Sequence, residues 1–360
     1  MATSQGVHVI VGGLGGMGRC LQQQLLAHGK QVRVLDLAPS AQAAASRLVH
    51  PTSIEYAHCD LSSSNSTDML HDALKNAETV YSLVTPDVLN GSAAAMRRTN
   101  VEGVQTLITA CQTVGVPKLV YASSMAVTNQ LFDHKEENEQ VPLPDWDTYQ
   151  LAYDRTKRQG EELVLQANNS NSNLQTCALR LGSVMAGQGD YTTRHILERP
   201  GQVISIPFPR LIDTVSARDL AVAFRLASDK MDVTDSPVGG KALFTTKSKN
   251  DQAATVPGTI ELFAQEFGWK LVKLPTSVVM AMAHGYRAKE TVKGLFRAPD
   301  EESTPGMPFD LTMEACTKEM TFDNSLAKEL LGYEPQETWE DAVIRIAKEC
   351  REAYPDLFSS

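Results

Sequence analysis

A short apolar run, a glycine-rich turn and an acidic residue ending the next apolar run constrain this chain more than any other feature. Val7–Val11 (VHVIV) suits a strand buried on both faces. It leads into Gly12-Gly13-Leu14-Gly15-Gly16-Met17-Gly18, then a helical pattern through Leu21, Leu25 and Leu26 that ends at His28-Gly29. Residues 31–35 (QVRVL) form the next strand pattern and close on Asp36. The loop satisfies two registers, G-x-G-x-x-G from Gly13 and G-x-x-G-x-x-G from Gly12. Either register gives a tight turn, close backbone approach to a pyrophosphate, and close helix–strand packing at Gly18, and Gly12, Gly15 and Gly18 are the candidate cofactor-binding glycines. The exposed N–H groups and the positive end of the helix dipole would hold the diphosphate. A glycine pattern alone is weak; a strand before it, a helix after it and an acid beyond the next strand make it a dinucleotide site. Asp36 is placed to accept bonds from the adenosine ribose hydroxyls and to repel a 2′-phosphate, so NAD is expected rather than NADP.

The alternation continues. Strand patterns fall at 54–57, 79–84, 118–122 (KLVYA) and 176–181, with helical patterns at 68–77 and 93–114. This rhythm predicts an α/β chain built on a Rossmann-type, doubly wound parallel sheet. Residues 128–148 are polar, acidic and proline-bearing and read as a loop, and 168–173 (NNSNSN) as a flexible connector. Beyond 182 the rhythm loosens, although 216–227 restores a clear helix. The expected division is a dinucleotide-binding domain over 1–182 with returns near 213–230. A smaller, interleaved and discontinuous substrate lobe takes most of 183–360.

Tyr153 and Lys157, in Tyr-Asp-Arg-Thr-Lys, lie four residues apart on a predicted helix. That spacing puts both side chains on one face, about 6 Å apart at Cβ. An ammonium beside a phenol favours the phenolate, which suits the pair to moving a proton at a C–OH bond. The spacing is common by chance and gains its weight from the loop that precedes it. Ser124, just past the fifth strand, stands where open α/β sheets bind ligands. Tyr149 is not expected to act as acid or base, because the residue four positions on is Tyr153. The histidines show no metal-like spacing: His8 reads as a strand residue, and His195 has no identifiable partner. No metal is expected.

Composition sets the outer limits. A net charge of −10 over 360 residues argues against a nucleic-acid surface. Six scattered cysteines without a C-x-x-C pair point to a reducing, cytoplasmic setting. There is neither a signal-peptide pattern nor an apolar run of about 18 residues, so no transmembrane segment is expected. Residues 278–296 carry apolar side chains at helical spacing with Lys289 and Lys293 among them. Packing against the lobe is the first reading of this stretch, and peripheral contact with a membrane or an entry helix for a lipid-like substrate is the second. A homodimer is a compatible assembly.

With the loop, Asp36, Ser123-Ser124 and Tyr153-x-x-x-Lys157 in order, the chain resembles the extended short-chain dehydrogenases/reductases. Asp60-Leu61, Asn100-Val101-Glu102-Gly103, Val120-Tyr121-Ala122 and Leu330-Leu331-Gly332-Tyr333-Glu334-Pro335 match the same pattern, which therefore covers nearly the whole chain. Gly240–Thr245 (GKALFT), Leu274-Pro275 and Thr321-Phe322-Asp323 are similar to the branch of 3β-hydroxysteroid dehydrogenases and sterol-4α-carboxylate 3-dehydrogenases. Two stretches depart from it. Tyr81-Ser82-Leu83-Val84-Thr85-Pro86 lacks the usual His, and Leu181 and Met185-Ala186-Gly187 replace a proline and a Tyr-Gly-Pro.

The resemblance implies roles. Ser124 hydrogen-bonds the substrate oxygen, Tyr153 is the acid/base, Lys157 holds the nicotinamide ribose and lowers the Tyr153 pKa, and Asp60 belongs to the cofactor site. Ser123 is the next candidate after Ser124 and reads first as a packing and turn residue, and Asn100 is structural or a proton relay. The expected function is NAD-dependent oxidation of a secondary alcohol (a 3-hydroxysteroid, a C4-carboxysterol or a related terpenoid) to a ketone. The expected partner is a small apolar alcohol or ketone. The competing expectations are a nucleotide-sugar epimerase or dehydratase that keeps NAD bound, and a non-catalytic NAD-sensing binder.

Overall fold

Seven parallel strands form the centre of the molecule. The computed structural model describes residues 6–63, 66–169, 173–187, 190–232, 236–296 and 300–358. The strands are β1 (Val7–Val11), β2 (Gln31–Asp36), β3 (Ile54–His58), β4 (Ala77–Ser82), β5 (Lys118–Ser124), β6 (His134–Glu137), β7 (Gln175–Leu181), β8 (Ser183–Met185), β9 (Gln202–Ser205), β10 (Leu211–Ile212), β11 (Thr214–Ser216), β12 (Ala242–Thr245), β13 (Ala254–Thr255), β14 (Lys270–Lys273) and β15 (Met320–Phe322). The main sheet runs β3-β2-β1-β4-β5-β7-β12. Every pairing within it is parallel.

Alternation along each strand divides the apolar side chains between two layers. Val7, Val9 and Val11 join Leu107, Ile108 and Val164 on one face. Ile10 joins Leu21, Leu25, Leu220 and Phe224 on the other. His8 lies on that second face, bonded to the Tyr81 hydroxyl at 3.0 Å, and burial pushes its pKa down to about 4. It is a neutral core residue. The helices that cover the sheet include Gly16–Ala27 and Ala217–Lys230 on the Phe224 face, with Val104–Val114 and Ala152–Gln166 opposite.

Strand β4 begins and ends two residues earlier than the apolar pattern suggests. The Leu83 N–H still reaches the Val11 carbonyl at 2.9 Å, but the chain then turns over the glycine loop, leaving Leu83–Pro86 (LVTP) as cleft wall. The helix expected at 68–77 is Ser66–Ala73. The 93–114 pattern is continuous helix with a π turn, Arg98–Gly103, that carries Asn100.

The stretch 128–148 is not all loop. It supplies β6 to a second sheet, ordered β13-β10-β15-β6. These strands are two to four residues long, too short for a side-chain period to show in sequence. Asp213 fastens this sheet to the main one. Its buried carboxylate accepts from the Thr246 hydroxyl at 2.6 Å and the Phe322 N–H at 2.8 Å, and Phe244 stacks on Phe322 with centroids 4.4 Å apart. A third apolar cluster, with Phe263, Phe267, Val343 and Ile346, packs the Val256–Phe267 helix against the Trp339–Ala353 helix.

The expected packing of 278–296 against the lobe is found along one face of the helix, where Val279 and Ala283 join Phe208 and Met313. Its helix, Thr276–Phe296, buries Val279 and Ala283, while Val278, Met282 and Val292 are exposed. Among the described residues its apolar side chains occur around the helix, and one face, with Val279, Met280, Ala283 and Tyr286, finds neighbours. Arg297 lies outside the described residues, as do Ser170–Ser172 (SNS) of the expected connector. No helix among the described residues is long and apolar enough to cross a membrane.

The Asp213 tether is testable. Asp213→Ala leaves the Phe322 N–H without its partner and should destabilise the protein by about 1–3 kcal/mol. Thermal unfolding measures this directly; a midpoint equal to the parent's would show that the tether contributes nothing.

Candidate active site

The carboxyl ends of β1, β2, β4, β5 and β7 open into one cleft of about 1170 Å³. Strand order reverses between β1 and β4, which is where open α/β sheets bind their ligands. The glycine loop lies at that point. Gly12 has φ +83°, a conformation that side-chain-bearing residues rarely adopt, and a Cβ there would stand 3.1 Å from the Val84 nitrogen. A Cβ on Gly18 would stand 2.3 Å from the Gly13 carbonyl oxygen, so the helix can approach β1 only through glycine.

Gly15 differs. A Cβ on it would meet only the Gly12 carbonyl oxygen, at an ordinary 3.6 Å. Nothing inside the protein requires glycine there; the space it keeps open belongs to the cleft. Gly15 is also the N-cap of the Gly16–Ala27 helix and supplies no side-chain cap, so first-turn N–H donors are left for a ligand. A pyrophosphate fits both features.

Asp36 closes β2 beside this loop. Its Oδ2 accepts from the Leu14 N–H at 2.8 Å and its Oδ1 from the Leu37 N–H at 2.7 Å. Arg47, which sequence reasoning did not single out, bonds the Leu14 carbonyl at 2.9 Å and lines the same end. Asp60 also lines the cleft, and its Oδ1 accepts from the Ser62 N–H and hydroxyl at 2.9 and 2.7 Å.

Ser124, Tyr153 and Lys157 are brought to the other half of the cleft. Ser124 ends β5, where its Oγ accepts the Ala126 N–H at 3.1 Å, leaving the hydroxyl proton available. Tyr153 begins the Ala152–Gln166 helix and packs against the cluster containing Leu131, Leu151 and Met307. Lys157 is buried one turn on. Its Nζ donates to the Ala122 carbonyl at 2.5 Å and lies 4.7 Å from the Tyr121 ring centroid. Burial pushes its pKa down to about 7, against the raising influence of Glu161.

Ser123 does not face a ligand; its hydroxyl donates to Glu161 at 2.6 Å. Glu161 in turn holds Arg180 through Nη2 at 2.7 Å and Nε at 3.0 Å. Sequence reasoning missed this pair, although Tyr153, Lys157 and Glu161 repeat at one four-residue spacing. Asn100 is buried and donates to the Thr156 hydroxyl at 3.1 Å. Tyr149 donates to the Val127 carbonyl at 2.5 Å and is a packing residue. His195 has a partner after all, Glu198 at 3.0 Å.

The substrate half has apolar walls, among them Val88, Met185, Ile196, Met307, Met313 and Met320. They come from separate stretches of chain, none of which carries a motif.

Residues 9–259 match the 3-beta hydroxysteroid dehydrogenase/isomerase family. The chain is 26% identical over 362 residues to 3beta-hydroxysteroid-dehydrogenase/decarboxylase isoform 2 of Arabidopsis thaliana, covering 94% of this chain and 60% of that protein. It is 27% identical over 248 residues to the decarboxylating sterol-4-alpha-carboxylate 3-dehydrogenase of Homo sapiens, covering 67% of this chain and 62% of that one. It thus spans less than two thirds of the length of both relatives. In fold it is similar to UDP-glucuronic acid 4-epimerase from Bacillus cereus, solved with UDP-glucuronic acid and NAD: TM-score 0.69, 17% identity, 97% of this chain and 100% of that one. Two-thirds of the chain, from β1 into the Val256–Phe267 helix, matches one family continuously, and on that match this protein belongs to the 3-beta hydroxysteroid dehydrogenase/isomerase family.

Proposed function

We propose that this protein oxidises a secondary alcohol on an apolar, fused-ring substrate (a 3-hydroxysteroid, a C4-carboxysterol or a related terpenoid) to the ketone. The observation that carries this reading is the convergence of Ser124, Tyr153 and Lys157 on one cleft whose first half fits a dinucleotide and whose second half is walled by apolar side chains. Gly12, Gly15, Gly18, Asp36 and Asp60 would hold NAD, which when bound supplies the hydride acceptor.

The chain's own residues handle the proton. Ser124 donates its hydroxyl proton to the substrate oxygen and fixes its place, because its own Oγ is already anchored by the Ala126 N–H. Tyr153, as the phenolate, takes the proton from the substrate hydroxyl. Lys157, as the ammonium, lowers the Tyr153 pKa from about 10 toward the working pH. With one N–H on the Ala122 carbonyl, it keeps others for a ribose hydroxyl. A C4-carboxylate substrate needs no further residue. Its oxidation gives a β-keto acid, the C–C bond to the carboxylate breaks toward the ketone, and Tyr153 returns a proton to the resulting enolate.

Asp36 faces the adenosine ribose in this reading, so NAD is preferred to NADP. The exposed apolar side chains of the Thr276–Phe296 helix mark where a membrane face would be met if the substrate is drawn from lipid.

One observation favours a second reading. Arg199, Arg210 and Lys318 line the cleft; none makes a side-chain hydrogen bond or ion pair among the described residues, although Arg210 and Lys318 lie close enough to Asp133 to favour its carboxylate. Cations facing a cleft suit an anionic substrate, and a nucleotide-sugar epimerase that retains NAD would use the same Ser124, Tyr153 and Lys157.

A spectrophotometric screen separates the two readings. NADH release with 3-hydroxysteroids, C4-carboxysterols or fused-ring terpenoids, and none with UDP-sugars, is expected. Turnover of a UDP-sugar without net NADH would establish the epimerase instead. On the substrate found, Tyr153→Phe should lower kcat by a factor of about 10²–10⁴; full activity would remove Tyr153 from the chemistry.

The loop makes a separate prediction. Gly15→Ala should fold normally, since its Cβ has room, yet weaken NAD binding by about tenfold or more measured calorimetrically. Gly18→Ala should destabilise the fold itself. Equal NAD affinity in Gly15→Ala would show that the space at Gly15 is not a phosphate cradle.

Asp36→Ala should shift the NAD/NADP preference toward NADP by about tenfold or more, in a ratio of kcat/KM values. An unchanged ratio would remove Asp36 from the ribose site.

A further inference from the structure

We propose that Gly306 is a positioning residue for Tyr153: its carbonyl caps the start of the helix that carries the tyrosine, and the strap around it, residues 300–307, fixes where that helix begins. This rests on the oxidoreductase reading above, which gives Tyr153 its role. The strap lies beyond the residues that match the family, 9–259.

The first N–H groups of a helix have no partner within it and are ordinarily met by an N-cap side chain or by water. The Ala152–Gln166 helix has Leu151 at its N-cap, and leucine supplies no such bond. A carbonyl from far along the chain takes that place. The Gly306 oxygen accepts the Ala152 N–H at 3.1 Å and the Tyr153 N–H at 3.4 Å. The cap therefore touches the main chain of Tyr153 itself.

The strap is held in its turn. The Gly306 N–H donates to the Gly91 carbonyl at 2.8 Å, and the Thr304 and Glu301 carbonyls accept the Ala93 and Ala94 N–H groups at 2.8 and 3.1 Å. Pro305 forms an antiparallel bridge with Ser92, and Glu301 and Glu302 pair with Arg97 and Arg98. One main-chain path thus runs from the Gly91 carbonyl, in the segment that follows β4, through Gly306 to Tyr153.

Only glycine keeps that path so short. A Cβ on Gly306 would overlap the sulfur and methyl of Met96 and stand 3.2 Å from the Gly91 carbonyl oxygen. Met96 is fully buried and has no open solvent to swing into. Gly306 does not have a positive φ, so its neighbours, and not its backbone conformation, exclude a side chain. The next residue, Met307, shares an apolar cluster with Met96, Leu131 and Leu151, against which Tyr153 packs, and it also lines the cleft. The strap meets Tyr153 at its main chain and again through the cluster around its side chain. Proton transfer needs the phenol within hydrogen-bond reach of the substrate oxygen, and a misplacement of about 1 Å can cost roughly a hundredfold in rate.

Gly306→Ala tests the cap. Amide hydrogen exchange reads the Ala152 and Tyr153 N–H groups, and protein labelled with ¹³C-tyrosine reports the Tyr153 ring, assigned by its disappearance in Tyr153→Phe. We expect exchange at those two amides to quicken by about tenfold or more in Gly306→Ala, with the Tyr153 resonance displaced. On the substrate found, kcat should fall by about tenfold or more while NAD affinity, set by the distant glycine loop, stays at the parent's value. Adding Met96→Ala makes room for the new methyl and should return exchange, resonance and kcat toward the parent's. In that same Met96→Ala background Gly306→Ala has room and Gly306→Val has not, which keeps the comparison available if the single variant does not fold. Exchange and resonance at the parent's values in Gly306→Ala would overturn the proposal, and so would a displaced resonance with an unchanged kcat. The exchange and the resonance need no substrate, so their outcome stays distinct from failure of the oxidoreductase reading, which Tyr153→Phe decides.

Discussion

The closeness of one helix to one strand governs the rest of this molecule. Gly18 lets the Gly16–Ala27 helix lie against the Gly13 carbonyl, and this contact points the helix N-terminus at the carboxyl edge of the sheet. The chain can then turn from β1 without filling the space above the strand ends. Leu83–Pro86 (LVTP) leaves β4 over the same point and becomes wall rather than sheet. The cleft is thus a consequence of backbone proximity: its floor is main chain, and only main chain can come that close to a pyrophosphate.

Across the cleft the problem is reversed, because there charge must be brought into a dry place. Lys157, Glu161, Arg180 and Asp154 are all buried beside or beneath Tyr153. Desolvating any of them costs several kcal/mol unless partners replace water. Each has such partners: the Ala122 carbonyl and Tyr121 ring for Lys157, Ser123 and Arg180 for Glu161, Gln130 for Asp154. A hydrophobic core would be a more stable filling. These partners, rather than water, hold each of the side chains in one arrangement around the Ala152–Gln166 helix.

What could be read from sequence divides along the same line. The glycine loop, β1, β2 and Asp36 were legible because the chemistry is local: a strand, a turn and a helix adjacent in the chain. Tyr153 and Lys157 were legible because helical spacing carries them. Glu161 and Arg180 escaped because their meaning is a contact between a helix and a strand nineteen positions apart, and no local period marks it. The short strands β6, β10, β13 and β15 escaped for want of length. The Thr276–Phe296 helix was legible in half: it packs against the lobe as its apolar residues suggest, but the composition of a helix does not say how many of its faces have a neighbour, and Val278, Met282 and Val292 are exposed.

The substrate half was the least legible of all, and the reason is physical. A dinucleotide is bound through its phosphates and ribose by backbone N–H groups and one acid, a demand that fixes residue types at fixed spacings. A fused-ring alcohol asks only for apolar volume of the right shape. Methionine meets that demand well, since an unbranched, polarisable side chain can adapt to an irregular surface. Met185, Met307, Met313 and Met320 all reach the cleft, from segments that the β-α rhythm does not order. Apolar volume can be supplied by many residues from many positions, so it leaves no signature in a single sequence. Arg199, Arg210 and Lys318 are the cationic side chains on that side of the cleft, and no local pattern in the sequence brings them together.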